Sequence, residues 1–157
     1  MSVVLVRVDD RLIHGQVVVG WGQALGATHL VLVDDAVAAS EWEREIYRMG
    51  VPPDMTVDFA SVDEAARRIA EWEGTRHRTI LVLNDVAAAV QLCRLAPQVK
   101  RVNLGGVHQG PGRRRRLPYV FMTDDEAGAL GELASRGVEV TAQDVPTASA
   151  VPIGDLL

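Results

Sequence analysis

The sequence predicts an α/β fold, a three-layer α/β/α sandwich built on a mostly parallel sheet of about six strands. First, its short apolar runs are nearly continuous in Val, Leu and Ile rather than alternating, which is typical of strands buried on both faces of a parallel sheet. Second, segments with helix-start signals separate these runs. Regular alternation of strands and helices over one chain of this length is the pattern of an α/β sandwich.

The apolar runs give the strands in chain order. They are Val3–Val8, His29–Val33, Thr56–Phe59, Thr79–Leu83, Arg101–Leu104 and Val138–Ala142. Three helix starts show a hydroxyl residue with an acid three positions later, as in a capping box: Ser40 and Glu43, Ser61 and Glu64, Thr123 and Glu126. The Gly- and Arg-rich segment Gly105–Pro118 is expected to be irregular, and the tail after Val145 to lie along the surface.

The composition narrows the class of protein. The 157 residues are 48% hydrophobic and 24% charged, which predicts a single domain over residues 1–157. The net charge of −5 argues against a surface built for nucleic acid or an anionic membrane. No apolar run approaches the ~20 residues of a membrane span, and the first residues do not form a signal peptide. Cys93 is the one cysteine, so an internal disulfide is excluded and a cytoplasmic location is expected.

One segment combines the side chains that phosphoryl chemistry requires. Asp9, Asp10, Arg11 and His14 directly follow the first predicted strand. Ligands of open parallel sheets bind beyond the carboxyl ends of the strands. A neutral His14 can attack phosphorus, Arg11 can bind the phosphoryl oxygens, and Asp9 or Asp10 can orient either side chain.

A predicted helix over Val17–Leu25 begins just after this segment. Its start, at Gly15 and Gln16, would present backbone N–H groups and the positive end of the helix dipole to a phosphate. The alternative is a purely structural role, in which His14 is a loop histidine and the acids only cap the helix. The combination of arginine, glycine and strand end favours the functional interpretation, with His14 as the nucleophile.

These residues also carry a family resemblance. The segment Val6–Val17 closely resembles the active-site loop of the enzyme IIB components of the mannose/fructose/sorbose family of the bacterial phosphotransferase system. The resemblance covers essentially the whole chain and continues at Val33–Ala38, Pro52–Pro53, Val102–His108 and Gln143–Pro146.

The resemblance implies a protein-N(π)-phosphohistidine–sugar phosphotransferase. A IIA protein would phosphorylate His14 on Nδ1, Arg11 would neutralise the phosphate, and the phosphoryl group would pass to a hexose-type sugar. Membrane IIC and IID proteins would carry that sugar, with this chain peripheral to them. The family fold places the first strand between the fourth and fifth, which brings Gly106 and His108 beside His14. No cofactor is implied, and a homo-oligomer is left open.

Two features depart from the family pattern. Arg113–Arg116 stands where many members are rich in lysine, and Asp144 occupies a position that is more often apolar. The four arginines could form a docking surface for an acidic rim on the IIA protein or for anionic headgroups beside the membrane partner. A solvated basic turn is the equal alternative.

Other polar residues have open roles. Asp34 could support the His14 loop or cap a helix, and His108 could be a second phosphate contact or a solvated loop residue. His29 and His77 lie near strand starts, at the wrong end of the sheet. No spacing of Cys, His, Asp and Glu predicts a metal site.

Three rival functions are possible. A receiver domain needs an acceptor aspartate after the third strand and a lysine after the fifth, whereas the third strand ends in Phe59-Ala60 and the sole lysine, Lys100, precedes the fifth. A regulatory IIB-like phosphoprotein that is not coupled to transport would keep the same His14 loop. A nucleic-acid binder would need a wider basic face than a chain of net charge −5 offers.

Overall fold

The computed structural model describes residues 2–157, and the side chain of Gln16 lies outside the described part. In chain order the strands are β1 (Val3–Val8), β2 (His29–Val33), β3 (Thr56–Ala60), β4 (Thr79–Leu83), β5 (Arg101–Leu104), β6 (Arg114–Leu117), β7 (Val120–Met122), β8 (Glu139–Ala142) and β9 (Val151–Pro152). Seven of them form one sheet in the order β3-β2-β4-β1-β5-β8-β9, and β6 and β7 form a separate pair.

The first strand is the central strand of this sheet, as predicted. It pairs in parallel with β4 on one side and with β5 on the other. Val8 lies opposite both Leu83 and Leu104, so the carboxyl ends of three strands are level with one another. Residues that follow β1 and β5 therefore emerge side by side.

Helices cover both faces of the sheet, which confirms the three-layer prediction. One face carries a π-helix (Gln16–Trp21) that continues into α1 (Gly22–Leu25), followed by α2 (Asp35–Ala38) and α3 (Glu41–Met49). The other face carries α4 (Val62–Glu73), α5 (Val86–Leu95) and α6 (Asp124–Ser135). None of the helices in residues 2–157 is long and apolar enough to cross a membrane.

The two cores explain the continuous apolar runs. In β2, Leu30 and Leu32 pack into the core beneath the π-helix, while Val31 and Val33 pack into the core on the opposite face. Strand side chains alternate between faces, so a strand covered on both sides needs an apolar residue at nearly every position.

The predicted helix starts are confirmed. Ser40, Ser61 and Thr123 cap α3, α4 and α6, and each side chain accepts a hydrogen bond from the backbone N–H three residues on. At Thr123 the reciprocal bond from the backbone N–H to the Glu126 side chain completes the capping box. The helix expected over Val17–Leu25 differs in its first turns, which are π-helical.

The segment expected to be irregular and the tail expected to lie along the surface both contain a short strand. Arg114–Leu117 forms β6, which pairs antiparallel with β7, and Asp124 on α6 pairs with two of its arginines. In the tail, β9 pairs antiparallel with β8, and Ile153 and Leu156 are buried in a short 3₁₀ turn. Segments this short carry too few residues for a periodic pattern to indicate them.

Candidate phosphoryl-transfer site

The Asp9 carboxylate lies at the centre of the candidate site. It follows β1 and is fully buried. Arg11 forms a two-pronged pair with it, as Nε donates to Oδ1 and Nη2 donates to Oδ2, both at 3.0 Å. The His14 Nε2 lies 3.1 Å from Oδ2, and Nη2 of Arg7 lies 3.4 Å from the same oxygen. The structure thus brings together the predicted Asp9, Arg11 and His14.

Burial and charge fix the protonation of this pair. Burial raises the pKa of Asp9, but the hydrogen bonds from Arg11 and the charge of Arg7 outweigh it, so the pKa lies below its ordinary value. Burial, together with the charges of Arg11 and Arg7, lowers the pKa of His14 by more than the nearby Asp9 raises it. Near neutral pH Asp9 is therefore ionised and His14 is neutral.

This charge state selects a tautomer of His14. Since an ionised carboxylate only accepts hydrogen bonds, the neutral ring donates Nε2–H to Asp9. The lone pair of the imidazole then lies on Nδ1. The site is therefore arranged for attack by Nδ1 rather than by Nε2.

Arg7 is a site residue that the sequence analysis missed. It lies within β1 and is fully buried. Its Nη1 donates to the side chain of Asn103 and to the carbonyl of Gln143 (2.8 Å), and its Nη2 donates to the carbonyl of Asp144 (2.9 Å). The guanidinium also lies over the Trp21 ring, 4.9 Å from its centre. An arginine inside an apolar strand, two positions before Asp9, was the available signal.

Two glycines make room for this network at the end of β5. A Cβ atom at Gly105 would overlap the Arg7 guanidinium, and one at Gly106 would lie 3.0 Å from both Asp9 Oδ1 and Arg11 Nε. The predicted supporting role of Gly106 is thus to let the backbone pass close to the ion pair, and Gly105 does the same for Arg7.

The loop backbone is strained where it turns towards His14. Leu12 has a φ of 59°, in the left-handed region that branched and bulky side chains avoid. Its side chain is buried in the core beneath the π-helix, and its N–H donates to the Asp9 carbonyl at 2.9 Å. Burial therefore holds the turn in a conformation that local preferences disfavour.

The helix start lies directly after His14. The His14 carbonyl accepts from the N–H of Val18 at 3.0 Å, and Gly15 is exposed with helical backbone angles. Among the described residues, and apart from its chain neighbours and the backbone of its own helix, no atom lies within 4 Å of a Cβ placed at Gly15. The amides of Gly15 and Gln16 belong to the first turn, where backbone N–H groups point away from the helix.

The Asp10 carboxylate contacts His108. It accepts from the backbone N–H of His108 at 2.8 Å and also contacts the His108 ring. The backbone N–H of Asp10 donates to the Gly106 carbonyl at 2.8 Å. Asp10 and His108 thus tie the loop after β1 to the loop after β5, whereas Asp9 pairs with His14.

The remaining predicted residues have structural partners. Asp34 accepts from the N–H of Val37 and caps α2, which is the alternative role that the sequence left open for it. His29 is buried between Thr79 and Asp58 at the opposite end of the sheet, and His77 is exposed there. The described residues contain no cluster of three or more His, Cys, Asp and Glu that could hold a metal.

The four arginines of the β6 hairpin are mostly paired. Arg113 forms a two-pronged pair with Glu126, and both Arg114 and Arg116 contact Asp124. Arg116 is also nearly buried, with a side-chain exposure of 7%. The hairpin is attached to the loop after β5 through Val107, so it lies at the same sheet edge as His14.

Known proteins are similar to this chain in sequence and in fold. The phosphotransferase-system sorbose subfamily IIB component matches residues 3–157. The N-acetylgalactosamine-specific phosphotransferase enzyme IIB component 2 of Escherichia coli is 30% identical over 99% of both chains. The mannose-specific EIIAB component of Escherichia coli is 26% identical over all of this chain and 49% of its own length.

A solved structure of an enzyme IIB domain is similar to this chain in both sequence and fold. The IIBSor domain of the sorbose permease from Klebsiella pneumoniae has a TM-score of 0.88 and 27% identity, covering 99% of this chain and 95% of that one. Sequence match over nearly the full length, the strand order and the loop after β1 all point to one family. The chain belongs to the sorbose-subfamily IIB components of the sugar phosphotransferase system.

Proposed function

We propose that His14 accepts a phosphoryl group on Nδ1 from a phosphorylated IIA protein and passes it to a sugar. The observation that carries the proposal is the contact between His14 Nε2 and the buried, ionised Asp9. This contact directs the proton to Nε2 and the lone pair to Nδ1, which makes the neutral ring a nucleophile near pH 7.

Both phosphoryl transfers can proceed from this tautomer of His14. In the first, the Nδ1 lone pair forms the N–P bond as the bond to the donor breaks, and the ring, which keeps its Nε2 proton, becomes cationic. Asp9 stabilises that cation. In the second, a sugar hydroxyl attacks phosphorus, the N–P electrons return to Nδ1 and neutral His14 is restored. The hydroxyl proton leaves with solvent or an acceptor on the membrane partner.

Arg11 and the first turn of the helix would bind the phosphoryl oxygens. Arg11 is a third exposed, at 34%, and presents a planar donor. Gly15 is exposed and adds no side chain of its own at this place, and the amides of Gly15 and Gln16 would add donors at the positive end of the helix dipole.

The partners follow from the family. A IIA protein is proposed as donor, since the mannose-specific relative is an EIIAB component whose length is about twice the part that this chain matches. Membrane IIC and IID proteins are proposed as acceptors, which would place this chain in the cytoplasm beside them. Relatives named for sorbose, fructose, mannose and N-acetylgalactosamine favour a hexose-type sugar or a derivative of one.

Phosphate mapping tests the proposal. After incubation with phosphoenolpyruvate, the general carriers and a cognate IIA protein, we expect one acid-labile, base-stable label, on His14. His14→Ala should abolish labelling while the circular dichroism spectrum is unchanged, because a partly exposed loop residue contributes little to the core. His77→Ala, at the opposite end of the sheet, is the matched control and should be labelled like the wild type.

Label on an aspartate or on another histidine would contradict the proposal. Adding membranes that contain the IIC and IID proteins separates transport from regulation. Loss of label to a sugar supports the transferase, whereas a stable label that only alters binding to another protein supports the regulatory alternative.

A further inference from the structure

The two arginines that contact Asp9 differ in burial. Arg7 is fully buried and is held by Asn103, by the carbonyls of Gln143 and Asp144, and by the face of Trp21. Arg11 is a third exposed and lies at the open side of the site. A ligand at the open side of the site can therefore reach the guanidinium of Arg11 but not the buried guanidinium of Arg7.

A phosphoryl group on His14 would compete with Asp9 for the hydrogen-bond donors of Arg11. In the structure its guanidinium fork is directed at both oxygens of Asp9. A phosphoryl group with nearly two negative charges competes for the same donors. If Arg11 turned towards it and no other cation were near, Asp9 would be left as a buried carboxylate without a counter-ion, which is strongly unfavourable.

We propose that Arg7 is the permanent counter-ion of Asp9, and that it allows Arg11 to turn from Asp9 to the phosphoryl group on His14. Arg7 does not touch the phosphoryl group in this scheme and acts through Asp9, so it is a positioning residue. The inference rests on the proposed function and adds an assigned role for Arg7 to it.

The fit around Arg7 supports a fixed charge rather than a mobile one. The absence of a side chain at Gly105 leaves the guanidinium its place, since a Cβ there would overlap Nη2. Three acceptors from two separate parts of the chain, Asn103 and the consecutive residues Gln143 and Asp144, hold its two terminal nitrogens. The nearest Asp9 oxygen, at 3.4 Å, is within ion-pair range.

Side-chain NMR of arginine tests the movement in the wild-type protein. Spectra are recorded before and after phosphorylation by the IIA protein, with the label on His14 quantified in the same sample. We expect the Nε–H signal of Arg11 to shift and that of Arg7 to keep its position. A shift of Arg7 in place of Arg11, or no shift of Arg11 while His14 is fully labelled, overturns the inference.

A double-mutant cycle tests the dependence of Arg11 on Arg7. In the wild-type background, Arg11→Met should slow phosphotransfer about 10- to 100-fold, the effect of losing a hydrogen bond to a charged group. In the Arg7→Met background, Arg11→Met should change the rate of phosphotransfer by no more than about twofold, because there Arg11 stays bound to Asp9 and does not reach the phosphoryl group. Arg7→Lys, which keeps the charge, should restore most of the effect of Arg11. If the double variant slows phosphotransfer by the product of the two single-variant factors, the two arginines act independently and the proposal is contradicted.

Arg116→Met is the matched control for stability. Within residues 2–157, Arg116 resembles Arg7 in having a buried Nε without a hydrogen-bond partner, but it lies in the β6 hairpin and contacts the carbonyls of Met122 and Leu156. This change should lower the melting temperature and leave the effect of Arg11→Met at its wild-type size. An equal change in that effect would show that Arg7 acts through stability alone.

The outcomes separate the two proposals. Absence of label on His14 of the wild-type protein rejects the proposed function itself. A labelled His14 with an unmoved Arg11 signal or with multiplying losses rejects only the role of Arg7. If Arg7→Met does not fold, the wild-type spectra and Arg7→Lys still decide.

Discussion

At the scale of single residues, one carboxylate sets both the charge and the tautomer of the histidine. Asp9 is ionised because Arg11 and Arg7 stabilise its charge against the effect of burial. It accepts the Nε2 proton of His14, and burial keeps the ring neutral. A buried acid with two cations thus leaves a histidine that is uncharged yet held in a single orientation.

We expect the His14 ring to titrate below its ordinary pKa of 6.5. Asp9→Asn should lower that pKa further, because the variant removes the negative charge that favours the protonated ring while the burial and the charge of Arg11 remain. Ring-proton NMR shifts followed between acid and neutral pH measure this. Asp10→Asn is the matched control, since that carboxylate contacts His108. An unchanged or higher His14 pKa in Asp9→Asn would contradict the prediction.

The sequence was sufficient for Asp9, Arg11 and His14 but could not choose between Asp9 and Asp10. Consecutive residues at a strand end point to opposite sides, so only one of the two acids can face His14. Which one does depends on the turn at Leu12, whose positive φ no local pattern indicates. Arg7 lies inside the predicted first strand and was not predicted as a site residue, although it shares a face with Asp9.

At the scale of elements, the end of β5 determines how closely the backbone approaches the ion network. Gly105 donates its N–H to the Val8 carbonyl at 2.7 Å and lies against Arg7, and Gly106 lies against Arg11 and Asp9. A strand that ended in larger residues would push these cations away from Asp9. The two glycines are therefore part of the site although they contribute no chemistry.

Gly105→Ala should destabilise the protein by about 1–3 kcal/mol, because the new methyl group must displace the guanidinium or open the strand pair. Phosphate labelling should slow in parallel. Gly128→Ala is the control: outside the backbone of α6 itself, a methyl group at this position would meet no atom of the described residues within 4 Å. This change should stabilise the protein by about 0.5–1 kcal/mol. Urea unfolding measures the free energy of unfolding of both variants. If both changes stabilise or both destabilise the protein, this account of Gly105 is wrong.

Elements were predictable where burial dictates the residue type. The six parallel strands and the three helix caps follow from apolar runs and hydroxyl–acid spacing. The strand β6 was missed because its arginines are unusual in a strand, and only their ion pairs with α6 explain it. The two-residue strand β9 depends on its contact with β8, which a local pattern does not contain.

At the scale of the whole molecule, acids on α6 neutralise most of the basic hairpin. Three of its four arginines pair with Asp124 or Glu126, and the chain as a whole carries −5. Arg115 is exposed on the hairpin. The docking surface expected from four adjacent arginines is thus reduced, although it lies at the sheet edge where a partner would reach His14.

We expect Arg115→Gln to slow phosphotransfer from the IIA protein by about fivefold at low salt, the equivalent of the ~1 kcal/mol that an exposed ion pair contributes. The two proteins should converge at high salt, because exposed charges are screened beyond a Debye length of ~10 Å at 0.1 M. Rates measured across a salt series test this. Arg101→Gln, exposed at the amino end of β5, is the control. Identical rates at every salt concentration would assign the hairpin a purely structural role.

The contacts of Arg7 reach far along the chain, and this has a consequence for biosynthesis. Its guanidinium binds carbonyls 136 and 137 positions away, and the side chain of a residue 96 positions away. His14 therefore leaves the ribosome well before the groups that hold Arg7. The charge balance around the histidine is completed only after Gln143 and Asp144 have been synthesised and the sheet has closed around Arg7. Competence to receive phosphate should thus mark a fully folded chain, and unfinished or misfolded copies should not drain phosphate from the pathway.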